Sequence, residues 1–124
     1  MTTNYVQRGD VVTYSNAGSA IAAGDVVVMG HTIGVALADI AASTGTGPVA
    51  IEGVFTVPKV SAAVFAQGEK LIFDVSATPP AFDDSAATPA SGDITGGAVA
   101  MVAGANLETT CVVKLTPGNA TKTA

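Results

Sequence analysis

One histidine, one cysteine and no tryptophan leave this chain few routes to chemistry. A catalytic triad would need His31 as base, an orienting carboxylate and a nucleophilic Ser or Thr, and no Gly-x-Ser-x-Gly elbow presents such a hydroxyl. His31 follows Gly30 between two apolar runs, so an exposed turn position is expected for it. Cys111 has no second cysteine for a disulfide and sits in Thr-Thr-Cys-Val-Val, the setting of a small buried hydrophobe rather than of a reactive thiol. A transition metal needs several His or Cys ligands, which the chain does not have. Asp83, Asp84 and Asp93 are hard oxygen donors suited to calcium, but the ligand order of a calcium loop is missing and a solvated acidic loop is the expectation. An acidic-cleft hydrolase would have to bring together carboxylates from distant strands, such as Asp25, Glu52 and Asp74.

The glycine-rich stretches Gly45-Thr46-Gly47 and Gly96-Gly97 lack the Lys-Ser/Thr of a phosphate loop and read as turns. Arg8-Gly9-Asp10 spells an integrin-ligand tripeptide, but three residues recur by chance and these stand at a strand start. No metal site, cofactor or catalytic residue is therefore expected.

The elements that would carry these residues are strands. The 124 residues include 14 Gly and 6 Pro and are rich in Val and Thr, whose branched side chains fit a pleated surface better than a helix. Short apolar runs recur between Gly, Pro, Asn and Asp, the pattern of an all-β barrel or sandwich of short, mainly antiparallel strands in one compact domain. Strands are expected near residues 10–14, 25–30, 32–38, 48–60, 70–75, 97–102 and 109–116. In the fourth, Gly53 is expected to bend the strand, with Val54, Thr56 and Pro58 on one side and Phe55 and Val57 on the other. Gly9-Asp10, Gly24-Asp25 and Gly68-Glu69 each precede an apolar run and read as strand-start devices. Residues 61–68, with Ser61 as N-cap and Gly68 after the end, form the one expected helix, held by Val64 and Phe65. Residues 1–8 read as an N-terminal arm, 9–116 as the β domain with a long surface loop over 78–93, and 117–124 as a loose C-terminal tail.

Charge narrows the partners. Five Lys and Arg against ten Asp and Glu give a net charge of −5, which disfavours nucleic acid because phosphate binding depends on cations. No signal-peptide pattern opens the chain and no apolar run is long enough for a membrane span, so a soluble protein made in a cytoplasm is expected. A chain with only 12% charged residues has a low-charge surface, which suits close contact with copies of itself or a larger assembly.

In order along the chain, Asn4 through Val12, Ala23-Gly24-Asp25-Val26-Val27, Gly34-Val35-Ala36, Glu52-Gly53-Val54-Phe55-Thr56-Val57-Pro58-Lys59 and Phe65-Ala66-Gln67-Gly68-Glu69-Lys70-Leu71 resemble the small head-decoration, or capsid cement, proteins of tailed phages. The resemblance runs from about Asn4 to Leu115, with the stretch over residues 79–91 and the end past Pro117 departing from the pattern. It implies a virion structural protein on the capsid exterior, binding the major capsid protein, forming a homotrimer at three-fold sites and clamping the shell against packaged DNA. On that reading Asn4, Tyr5, Val6, Gln7 and Arg8 are the expected capsid-binding arm, and Pro79, Pro80 and Phe82 the expected subunit contact. The competing expectation for Tyr5 and Val6 is that they begin the first strand. The competing functions are a phage tail, fibre or surface-adhesion β module, and a small hydrolase.

Overall fold

The computed structural model describes residues 3–124; Met1 and Thr2, the start of the expected arm, lie outside them. Ten strands form two sheets, and among the described residues there is no helix. The smaller sheet is built from β1 (Val11–Ser15), β2 (Val26–Met29), β3 (Thr32–Ala36) and β4 (Thr46–Ala50), in the order β1-β4-β3-β2. The larger contains β5 (Gly53–Pro58), β6 (Lys70–Asp74), β7 (Ala81–Asp83), β8 (Ile94–Ala100), β9 (Thr110–Leu115) and β10 (Thr121–Lys122), in the order β5-β9-β8-β6-β7 with β10 also pairing β8. Every pairing between these strands is antiparallel.

The apolar run expected as one strand over 48–60 is two. Its first part pairs with β1 and β3, its second with β9, and Gly53 at φ 126° is the point where the chain passes from one sheet to the other. After the change Val57 is buried and Val54 and Thr56 are exposed, the expected alternation. The larger sheet then curls. A parallel bridge joins Lys59 to Phe82, and the Val60 N–H donates to the Phe82 carbonyl at 2.9 Å, drawing the end of β5 against β7.

The main core lies inside this curl and between the sheets. Leu71, Phe73, Phe82, Ile94, Val113 and Leu115 come from the large sheet and Ile33 and Val35 from β3. Phe73 and Phe82 stack tilted, ring centres 4.9 Å apart. β3 sits close to β8 because Gly97 has no side chain: a Cβ there would lie 2.6 Å from Ile33 Cδ1. Gly96-Gly97 is thus a mid-strand irregularity of β8, where the register to β6 shifts, and not the turn its composition suggests. A second core, Val27, Ala36, Ile40 and Val49, lies on the other face of the small sheet.

Three further expectations are corrected. Residues 61–68 are not a helix: Phe65 forms an isolated bridge with Gly104, Ala63 and Phe65 turn inward, and Val64 points to solvent at 57% exposure. At under two helical turns, two backbone hydrogen bonds exchanged between Phe65 and Gly104 outweigh what the helix would gain. Residues 78–93 are not wholly a surface loop, because β7 pairs with β6 and inserts Phe82 into the core. The C-terminal segment is not loose: β10 pairs with β8, and backbone hydrogen bonds link Thr123 with Gly92 and Asp93.

Candidate functional site

The arm can be described from Thr3. Residues 4–8 have no strand or helix structure and are all exposed, Tyr5 at 67% and Val6 at 87%. β1 begins only at Val11, so Tyr5 and Val6 do not start the first strand. Gln7 Nε2 donates to the Val11 carbonyl at 2.8 Å and Arg8 Nη2 pairs with Asp10 Oδ2 at 3.3 Å, contacts that steer the segment toward β1. With both partners exposed, that ion pair orients the chain more than it stabilises it.

Of the residues expected to contact a neighbouring subunit, Pro79 and Pro80 are exposed and Phe82 is not. Phe82 is fully buried against Phe73, so it serves the chain's own core and offers no surface to a partner. Pro79, after a cis Thr78–Pro79 peptide, borders an apolar groove of about 590 Å3 that Val57, Pro58, Val60 and Ala81 also line.

The groups with chemical potential are held apart and occupied. His31 is exposed as expected, and its Nδ1 accepts the Lys122 N–H at 2.9 Å, which makes it a dock for the C-terminal strand. Burial pushes the Cys111 thiol up to about 11, with Lys59 opposing and Glu108 adding to the shift, so the sulfur stays protonated. Asp93 is buried, its two carboxylate oxygens accepting the N–H groups of Val75 (3.1 Å) and Ala90 (2.9 Å). Asp83 and Asp84 accept backbone N–H groups next to themselves. Asp25 and Asp74 each close their own turn, on Ala22 and Ser76, while Glu52 lies exposed between β4 and β5. Among the described residues no three His, Cys, Asp or Glu side chains gather as a metal site would require.

Two structural devices escaped the sequence reading. The first is Lys59, only 4% exposed, whose ammonium donates to the carbonyls of Val60 (2.8 Å), Ser61 (3.0 Å) and Glu108 (3.2 Å). A buried cation is tolerated only with such partners, and here it ties the end of β5 to the loop after β8. No sequence signal separates it from a surface lysine.

The second device is a turn used four times. In the turns Ala22 to Asp25, Ala66 to Glu69, Ala90 to Asp93 and Ala105 to Glu108, the fourth residue's N–H donates to the alanine carbonyl and its carboxylate accepts the alanine N–H. The third position has positive φ: 92°, 90° and 90° at Gly24, Gly68 and Gly92, and 75° at Leu107. Ala-x-Gly-Asp/Glu was the available signal. Two of the three expected strand-start devices are of this kind, whereas Asp10 instead pairs with Arg8. Glu69 extends the device, its other oxygen accepting both the N–H (3.0 Å) and the hydroxyl (2.8 Å) of Ser85; these bonds hold its carboxyl below the usual carboxylate range.

The arrangement is a rigid all-β body, its polar side chains turned to holding loops, with an exposed arm. Comparison with protein families finds the same character: the model of the phage cement protein family matches residues 6–115. The chain belongs to that family. A search among curated proteins returned no match. As a phage cement protein it has a structural, capsid-stabilising role, and its place is on the virion capsid. The matched stretch takes in Val6, Gln7 and Arg8 of the arm, Pro79 and Pro80, and the Lys59 and Glu69 locks, and leaves out Asn4, Tyr5 and the segment from Thr116 on.

Proposed function

We propose that this cement protein binds the outside of the mature head as a homotrimer at three-fold sites, clamping neighbouring copies of the major capsid protein against the pressure of packaged DNA without any catalysis. Asn4, Tyr5, Val6, Gln7 and Arg8 are the anchor, and Pro79 and Pro80 contribute to contact between subunits. The observation that carries this reading is the arm: a segment outside either sheet, presenting an aromatic and an aliphatic side chain to solvent ahead of a well-packed body. Such a segment adds to an exposed strand of its partner, with main-chain hydrogen bonds supplying affinity and side chains supplying register. The mechanism is linkage: a ligand that binds only the expanded lattice lowers the free energy of that lattice, and three linked arms multiply the effect through effective concentration.

The test is co-sedimentation with expanded and unexpanded heads. The full chain saturates expanded heads alone, and a chain lacking residues 2–8 keeps its fold but does not sediment with them. Equal binding by the truncated chain would remove the arm from the mechanism, and equal binding to unexpanded heads would remove the preference for the mature lattice.

A further inference from the structure

The last strand of the protein ends against its only histidine. Gly30 and His31 form the two-residue loop that joins Met29 of β2 to Thr32 of β3, with Gly30 at φ 63° making the turn tight. So short a loop gives the His31 ring a fixed place beside the C-terminal segment. On that segment Thr123 directs both backbone groups at the residues leading into β8: its N–H donates to the Asp93 carbonyl at 2.9 Å and its carbonyl accepts the Gly92 N–H at 2.8 Å. Neighbouring residues of a strand point their backbone groups to opposite sides, so the Lys122 N–H faces away from β8 as an edge donor. His31 Nδ1 is its acceptor, at 2.9 Å.

With Nδ1 accepting, the neutral ring carries its proton on Nε2. A second proton can enter only at Nδ1, where it would face the Lys122 N–H donor to donor. Imidazole is the side chain whose ordinary titration falls between about pH 5 and 8. The bond belongs to the neutral ring, so it is present above that range and is lost as pH falls through it. Little else holds the strand. β10 is two residues long, paired with Ile94 and Thr95, and Ala120 before it is only partly buried against the main core. A chain end held by so few bonds opens locally at small cost, and one bond then counts.

The charged groups nearby do not supply a substitute. Met29 and Thr32, on either side of the loop, are uncharged. On the C-terminal segment the Lys122 ammonium borders the same hollow as the ring, and Ala124 brings a carboxylate of opposite sign. Asp93 is buried, with its two carboxylate oxygens accepting the Val75 and Ala90 N–H groups.

We propose that His31 is a pH-operated latch on the C-terminal strand: neutral, it holds β10 to the body through the Lys122 N–H, and protonated, it lets residues 119–124 go. Release leaves β8 with an open edge at Ile94 and Thr95. The segment lies past the stretch matched by the cement family, so the latch belongs to this chain and works whether or not the arm anchors it to a capsid.

Hydrogen exchange of the full chain, corrected for the intrinsic rate and followed by NMR between about pH 7.5 and about pH 5, tests it. Protection of the Gly92, Lys122 and Thr123 amides falls at least ~5-fold on acidification, while the Val113 amide in β9 keeps its protection. The Lys122 amide shift moves with the same midpoint as the His31 ring protons. His31→Asn places Oδ1 where Nδ1 stands, an acceptor that does not titrate, so protection persists with no step. His31→Ala has no acceptor and shows the low protection at both pH values. Equal protection of the natural chain at the two pH values would overturn the latch. So would a step that survives in His31→Asn, or a Lys122 midpoint that differs from that of the ring.

Discussion

Single residues in this protein act mostly by what they keep satisfied. The Lys59 ammonium serves three buried carbonyls, and Lys59→Met keeps the apolar stem while stranding all three; a loss of about 3 kcal/mol is expected in urea unfolding. A loss under about 1 kcal/mol would mean water reaches those carbonyls. Leu107→Gly should do the reverse, raising stability by about 1 kcal/mol in the same measurement because glycine accepts φ 75° without a Cβ clash. Cys111 gives a pH dependence. With its folded value at about 11 against an ordinary 9.0, its contribution is complete below the ordinary value and is lost as pH rises through the folded one. Unfolding free energies compared at about pH 8 and about pH 11 should therefore fall less in Cys111→Ala than in the natural chain, and equal falls would show that the thiol is not protected.

At the scale of elements, the recurrent problem is how short strands are started and how the loops between them are pinned. A turn whose closing carboxylate accepts the N–H of its first residue solves it four times, and Glu69 solves it twice over by also holding Ser85 beyond β7. Its carboxyl is depressed by bonds made to the ionised form, so the bonds are present above the ordinary carboxylate value and are lost as pH falls through the folded one. Hydrogen exchange at the Ser85 and Ala66 amides should accelerate, relative to its intrinsic rate, on acidification through that range. Glu69→Gln, which has no carboxylate to protonate, should show raised exchange at all these pH values and no such step. The same reasoning explains why the segment over 61–68 gives up a helix: pairing Phe65 with Gly104 buries the ring and satisfies the backbone together.

The whole molecule separates a stiff body from an accessory arm. Both sheets are tied into continuous packing through Ile33 and Val35, and none of residues 3–8 belongs to either buried cluster. The chain without residues 2–8 should therefore melt within about 2 °C of the full chain while losing sedimentation with expanded heads. A large fall in melting temperature would show that the arm is part of the fold, and its loss of head binding would then say nothing of an anchor. The body's buried polar groups have hydrogen-bond partners: among the described residues no buried side-chain nitrogen or oxygen lacks one.

Much of this was legible in the chain itself. Alternation and β-branched composition set the all-β class, and six of the seven expected strands appear within a few residues because their periodicity is local. The seventh, over 48–60, was visible as strand but not as two strands of different sheets, since the pairing partner of a strand is not a local property. The run of motifs from Asn4 to Leu115 pointed to the family for the same reason, being written in order along the chain. Tertiary structure alone decided the remainder. Sequence alone places Phe82 in a surface loop and leaves 117–124 loose; the pairing of β7 with β6 buries the first and the pairing of β10 with β8 fixes the second. Lys59 became a buried lock and Leu107 a strained, displayed leucine only once loops distant in sequence had met. Burial and hydrogen-bond partners depend on which segments come together, and that is settled by packing across the whole chain rather than by any window of it.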